Sequence, residues 1–277
     1  MTETTEPLSQ YDAETAVELL EDGRFSAHVS DRWNIGDNPN GGYLTSIALR
    51  ALRHLGGHQD PVSVTTHFLR PGLGNQPGEV HASIVRSGRS VTTGRATLVQ
   101  EGKARIEVIA AMGDLSGTSG HDVDLTIAPP DDMPPLDDCV ARSGLEQGVT
   151  LFIAERVDLR IRPDMSIAGA SKDAEMQAWI RFADQRRPDT LAAVMFSDAF
   201  APSIFTRLGR VGWVPTIELT VHVRRRPAEG WMMGRFVTED LHDGRLVEDG
   251  WLWDSKGTLV ARSRQLAMLL PGADTSA

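Results

Sequence analysis

The 277-residue chain carries one cysteine, Cys139. A single thiol excludes an internal disulfide and any cysteine-built zinc site, and reads as a small residue within a linker. Lysine is nearly missing: Lys103, Lys172 and Lys256 are the only three, and arginine carries the remaining positive charge. The formal charge of −10 leaves no general basic face of the kind nucleic-acid binding needs. No apolar run approaches the roughly 18 residues of a membrane span. The first ten residues are acidic with no basic start, unlike a signal peptide, so a cytoplasmic protein is expected. Gly-x-Ser-x-Gly elbows, P-loops and dinucleotide fingerprints are all lacking. His54 and His58 stand four apart, but Gly56-Gly57 between them breaks the helix that would align them on a metal. His67 and His222 read as structural strand residues. Neither a metal nor a cofactor is expected.

What is present is a soluble globular composition, long enough for one large domain or two of ordinary size. The most distinctive stretch runs from 190 to 227. Leu191-Ala192-Ala193-Val194-Met195-Phe196 reads as a buried helix, followed by Ser197 and Asp198. A carboxylate at the end of an apolar run costs free energy unless it is paired, hydrogen-bonded, protonated or simply turned to water. Gly209, Gly212 and Pro215 then punctuate a loop, and alternation over 216–224 predicts a strand. The Arg224-Arg225-Arg226 run reads as the solvated end of that strand, with a phosphate-bearing ligand as the alternative.

Along the chain, residues 13–20 suggest a short surface helix and 25–35 a strand carrying Trp33. Asn38-Pro39-Asn40-Gly41-Gly42 is turn chemistry opening a helix, in which Tyr43, Leu44, Ile47, Ala48, Ala51, Leu52 and Leu55 make one apolar face. Gly56-Gly57 stops it. Strands are predicted over 62–69, 78–86, 91–100 and 104–112, a helix-plus-antiparallel-sheet unit of α+β class. Residues 116–147, rich in Gly, Pro and Asp, form a linker. Strands follow over 149–159 and 175–182, then, beyond the 190–227 stretch, over 231–237, 244–253 and 258–270, with a tail from 271. The predicted organisation is therefore 1–115, linker 116–147, and 148–277.

The halves repeat. Thr65-Thr66-His67-Phe68-Leu69-Arg70-Pro71 resembles Thr220-Val221-His222-Val223-Arg224-Arg225, and His67 and His222 are 155 residues apart, as are the turn glycines Gly102 and Gly257. The hairpin glycines Gly88 and Gly244 slip from that spacing by one residue. A duplicated domain with pseudo-twofold symmetry follows. At the same offset Asp198 falls on Tyr43, Thr216 on Pro61 and Gln265 on Ala110, so the first half has no equivalent polar set.

A helix-plus-sheet unit duplicated in one chain looks like the double hotdog fold. The sequence resembles the acyl-CoA thioesterase II family, within the thioesterase-like superfamily, from about residue 25 to 270. The resemblance rests on Asn40-Gly41-Gly42-Tyr43, Met176-Gln177-Ala178-Trp179-Ile180-Arg181, Phe196-Ser197-Asp198, Pro215-Thr216-Ile217-Glu218 and Val260-Ala261-Arg262-Ser263-Arg264-Gln265. It implies an acyl-CoA substrate, a role in lipid metabolism, and a water held against the thioester carbonyl by Asp198, Thr216 and Gln265. Where the family often has His after the Asp, this chain has Ala199, and Glu218-Leu219-Thr220 replaces a His-containing pattern seen in some members. Backbone N–H groups of Gly41 or Gly42 are the expected oxyanion donors. Association into a homo-oligomer is a further expectation from the family. A non-catalytic acyl-CoA or lipid-binding protein and a hotdog dehydratase or hydratase are the alternatives; the latter would need a histidine near the first helix, where only His28 and His54 occur.

Overall fold

A computed structural model describes residues 8–117, 125–144, 148–209 and 214–270. The start of the chain at 1–7, parts of the linker at 118–124 and 145–147, loop residue Gly212 and the tail from 271 lie outside the described residues. Strands β1 (Val17–Glu21), β2 (Arg24–Val29), β5 (Asp60–Phe68), β6 (Gln76–Ser87), β7 (Thr92–Gln100) and β8 (Lys103–Gly113) belong to the first half. Short β3 (Asn34–Ile35) and β4 (Asn38–Pro39) pair with each other. The second half contributes β9 (Val140–Ala141), β10 (Val157–Ile161), β11 (Glu175–Phe182), β12 (Thr216–Val223), β13 (Met232–His242), β14 (Arg245–Trp253) and β15 (Leu259–Met268). Apart from β3 and β4, they form one continuous sheet in the order β1-β2-β6-β7-β8-β5-β12-β15-β14-β13-β11-β10-β9.

The repeat read from the sequence is visible in this order, which runs outward through equivalent strands from the β5–β12 junction. There the pairing is self-complementary: Glu218 faces His67, His222 faces Ser63, and Thr65 faces Thr220. The Thr65 and Thr220 hydroxyls meet at 2.9 Å, marking the pseudo-twofold axis. The fold is the expected α+β double hotdog.

Two helices lie inside the curved sheet. Helix α2 (Gly41–Leu55) is capped by Asn40, whose side chain accepts the Tyr43 N–H at 2.9 Å, and it ends at Gly56. Helix α3 (Thr190–Phe196) is capped by Asp189, which accepts from the Ala192 N–H, and all seven of its residues are buried. A helix apolar all round requires partners on every side; α3 has α2 on one flank and the β5, β12 and β15 strands around it. The helices run antiparallel. The start of α2 meets the turn after α3, while Arg53 near the end of α2 reaches the Asp189 carboxylate and the Thr190 hydroxyl.

Three expectations change. Residues 13–20 are not one helix: α1 (Gln10–Glu14) is a single turn that buries Tyr11, and Val17–Glu21 pairs with β2 as an edge strand. The 25–35 strand ends at Val29, and a 3₁₀ turn over Asp31–Trp33 stacks Trp33 on Tyr43 at 5.0 Å. The 149–159 strand begins only at Val157, after a 3₁₀ turn over Phe152–Glu155. The linker is also pinned down. Trp253 and Trp179 donate indole N–H bonds to the Ile127 and Pro134 carbonyls, and β9 within it extends the second half's sheet edge.

Candidate active site

The turn after α3 places Asp198 against the N-terminus of α2. Its Oδ2 accepts the Gly42 N–H and the Asn40 Nδ2–H, each at 2.9 Å, and Asn40 Nδ2 also donates to the Asp198 carbonyl at 2.7 Å. Asn40 thus caps one central helix and ties down the turn that ends the other. Truncation to Asn40→Ala is expected to cost about 0.5–2 kcal/mol from the lost cap alone, read by urea denaturation, and more where the Asp198 carbonyl is stranded.

Asp198 faces a cavity of about 370 Å³ at the junction of the halves. Leu44, Phe68, Phe200, Phe205, Phe236 and Met268 give it apolar walls. Although its carboxylate looks into this space, protein surrounds it, and desolvation raises its pKa to about 6 against the pull of the Gly42, Gly41 and Asn40 donors. Thr216 and Gln265 line the same cavity. Gln265 is buried on the inner face of β15 opposite Leu219, and Thr216 pairs with Ala267. A bulge between Thr216 and Glu218 lets Thr216 and Leu219, three apart, both take inner-face pairings. Neither the Thr216 hydroxyl nor the side-chain N–H groups of Gln265 bond to the described residues, so both are open to a ligand. The three side chains named from the sequence therefore share one cavity.

The glycines are placed differently from expectation. Gly42 N–H, expected to face an oxyanion, is spent on Asp198, and the Gly41 amide also acts on that carboxylate. The physical reason is the half charge of the helix N-terminus, which the nearest anion takes up. Sequence reasoning also left Asn40 without a role and missed Glu248, a second buried carboxyl lining the cavity. Glu248 sits two residues after the inward Leu246 in β14, so the strand period alone points it inward.

The equivalent strand positions in the other half hold Pro61 and Ala110, both buried. Pro61 pairs with Met112 and Val64 with Ala110, matching the Thr216–Ala267 and Leu219–Gln265 pairs at the 155 offset, bulge included. The helices do not keep that offset: their caps, Asn40 and Asp189, are 149 apart, so Asp198 corresponds to Leu49 and not to Tyr43. At this end Asp60 is held by Arg226 at 2.8 Å, by the Thr190 hydroxyl at 2.9 Å and by the Leu115 N–H. Arg226 in the triple-arginine run is thus an ion-pair partner. No histidine lines the open cavity among the described residues; His54 packs edge-on against Phe25.

Residues 29–116 match the family described as Acyl-CoA thioesterase N-terminal domain, and residues 130–269 match the Acyl-CoA thioesterase C-terminal domain. An uncharacterized protein of Mycobacterium tuberculosis is 27% identical over 270 residues, spanning 88% of this chain and 90% of that protein. The crystal structure of a putative thioesterase II from Thermobifida fusca superposes with a TM-score of 0.83 at 29% identity, covering 96% of this chain and 99% of that one. The acyl-CoA thioesterase II TesB2 of Mycobacterium marinum superposes with a TM-score of 0.74 at 21% identity, over 95% and 99% of the two chains, a likeness of fold. With both halves matched in order across most of its length, the chain belongs to the acyl-CoA thioesterase family.

Proposed function

We propose that this protein hydrolyses acyl-CoA thioesters by direct attack of water, with Asp198 as general base. The observation that carries the reading is a desolvated carboxylate facing an apolar cavity beside an unengaged hydroxyl and unengaged amide N–H groups. Thioester hydrolysis needs an oriented water, a base, and donors where charge develops on the carbonyl oxygen. Asp198 takes the proton as the water oxygen bonds to the carbonyl carbon. The Thr216 hydroxyl accepts the water's second hydrogen. Gln265 has two amide N–H bonds, one for the water oxygen and one for the carbonyl oxygen. With the helix amides occupied by Asp198, Gln265 is the donor left for the oxyanion. Collapse of the tetrahedral species breaks the carbon–sulfur bond, and the proton on Asp198 passes to the leaving thiolate, which restores the carboxylate. The acyl chain lies along the phenylalanine-lined wall, and Arg70 and Arg142 bring positive charge to the cavity for a phosphate-bearing substrate.

Thiol release measured across short, medium, long and aromatic acyl-CoAs tests this. Hydrolysis is expected with at least one class. Its kcat/KM should climb through an acidic limb with an apparent pKa near 6, because the base works only when ionised and burial delays its ionisation from the ordinary 3.8. Ligand-induced thermal stabilisation with no thiol release from any class would overturn hydrolysis in favour of a non-catalytic acyl-CoA binder.

A further inference from the structure

We propose that Glu248 is a positioning residue of this site: held as the neutral acid, it donates its proton to the Gln265 side-chain carbonyl and so turns the Gln265 N–H groups into the cavity. The proposal rests on the hydrolase reading above and adds a residue to it.

The geometry is a cross-strand pair. Glu248 on β14 lies directly opposite Gln265 on β15, both point to the inner face, and both are buried. Side chains so placed have Cβ atoms about 4.5–5.5 Å apart, within hydrogen-bonding reach for two chains of this length. An amide at this position has two orientations of similar shape, and only one presents N–H groups to a carbonyl oxygen. Leu219, the neighbour of Gln265 on the other side, is apolar and cannot choose between them. A carboxylic acid can, because its O–H bonds to the amide oxygen and not to the amide nitrogen.

Glu248 is also built to keep its proton. Its Oε2 accepts the Ser203 backbone N–H at 2.6 Å, and the Ser203 hydroxyl also reaches the carboxyl. It forms no ion pair among the described residues. From β13 it faces Thr238, which is neutral and bonded to the Ser203 hydroxyl. Burial raises its pKa to about 7 against the pull of the Ser203 hydroxyl and N–H, with the nearby charges of Asp198 and Asp249 adding to the rise. Asp249, its sequence neighbour, is paired with Arg264 at 2.8 Å. The cations lining the cavity are Arg70 and Arg142, the latter lowered by burial to about 10 and so still charged. Asp198 accepts from Asn40 and Gly42 and therefore ionises first; its charge then holds the proton on Glu248. Two carboxyls on one largely apolar cavity are thereby driven into opposite states, one a base and one a donor.

The test compares pH profiles of kcat/KM for the wild type, Glu248→Gln and Glu248→Leu in the thiol-release assay. The wild type should give a bell, rising near 6 and falling near 7 as Glu248 loses its proton. Glu248→Gln retains a donor and cannot ionise, so it should stay within about threefold at the optimum and lose the falling limb. Glu248→Leu should lose about tenfold or more at the optimum, the worth of the hydrogen bond that orders Gln265, and should likewise lack the falling limb. An infrared carboxylic-acid band that titrates near 7 in the wild type, absent from Glu248→Gln and titrating lower in Asp198→Asn, provides a readout independent of turnover. A wild type that releases thiol while Glu248→Gln keeps the falling limb overturns this proposal alone, as does absence of the band. A wild type that releases no thiol overturns the hydrolase reading and this proposal together.

Discussion

Asp198→Asn is expected to lower kcat for thioester hydrolysis by about 10²–10⁴-fold, the usual worth of a positioned general base. Asparagine keeps the shape of the side chain, and its oxygen can still accept from Gly42 and Asn40, so the turn after α3 should hold. What it cannot do is take a proton. The stability effect runs the other way. The pKa of Asp198 is raised on folding from 3.8 to about 6, so its contribution is complete below about pH 4 and is lost as pH rises through 6. At pH 8 the neutral variant escapes that penalty and should be more stable than the parent, by at most about 3 kcal/mol, with the difference vanishing near pH 4. The measurements are thiol release and thermal unfolding at both pH values. A folded variant working at the parent rate would remove Asp198 from the mechanism.

The second large effect is expected from Gly42→Ala. A Cβ at Gly42 would sit 2.7 Å from the Met195 carbonyl oxygen and 3.0 Å from both the Met195 Cα and the Asp198 Cβ. Backbone atoms cannot rotate aside, so the two central helices must separate at this contact. Overpacking of this kind costs about 1–3 kcal/mol. It also pulls the Gly42 N–H away from Asp198, and displacement of a catalytic group by even 1 Å can cost about 10²-fold in rate. With one donor to its charged form weakened, Asp198 should titrate higher, moving the acidic limb above 6. Gly41→Ala supplies the contrast. Its Cβ would meet the Phe68 ring, at 2.5 Å, and Asp198 Oδ2 at 3.0 Å, and the ring can swing toward the cavity. It should therefore be milder. Equal effects of the two substitutions would contradict this account of the helix junction.

Much of this molecule could be read without coordinates because the relevant signals are local. The turn chemistry of Asn38-Pro39-Asn40-Gly41-Gly42 and the apolar residues at helical spacing behind it place the start of α2. The alternation from Glu175 to Phe182 gives a strand with the bounds the structure has. The 155-residue spacing survives in the strand pairs down to the bulges at Val62 and Ile217. Other local readings fail when a distant partner outbids them. Val17–Glu21 has helix-compatible spacing, but β2 offers it backbone hydrogen bonds, and Tyr11 is drawn into the core against Phe182.

The sequence by itself determined the duplication, the two buried helices and the antiparallel strands, because period and turn chemistry are properties of neighbours along the chain. The candidate trio of Asp198, Thr216 and Gln265 came from the family resemblance of its motifs. Tertiary structure alone decided which donors serve Asp198 and that Asp60 pairs with Arg226 at the opposite end. Those outcomes depend on groups up to 166 residues apart meeting in a low-dielectric interior. There a charge takes the nearest partner that folding supplies, and no window of sequence contains both.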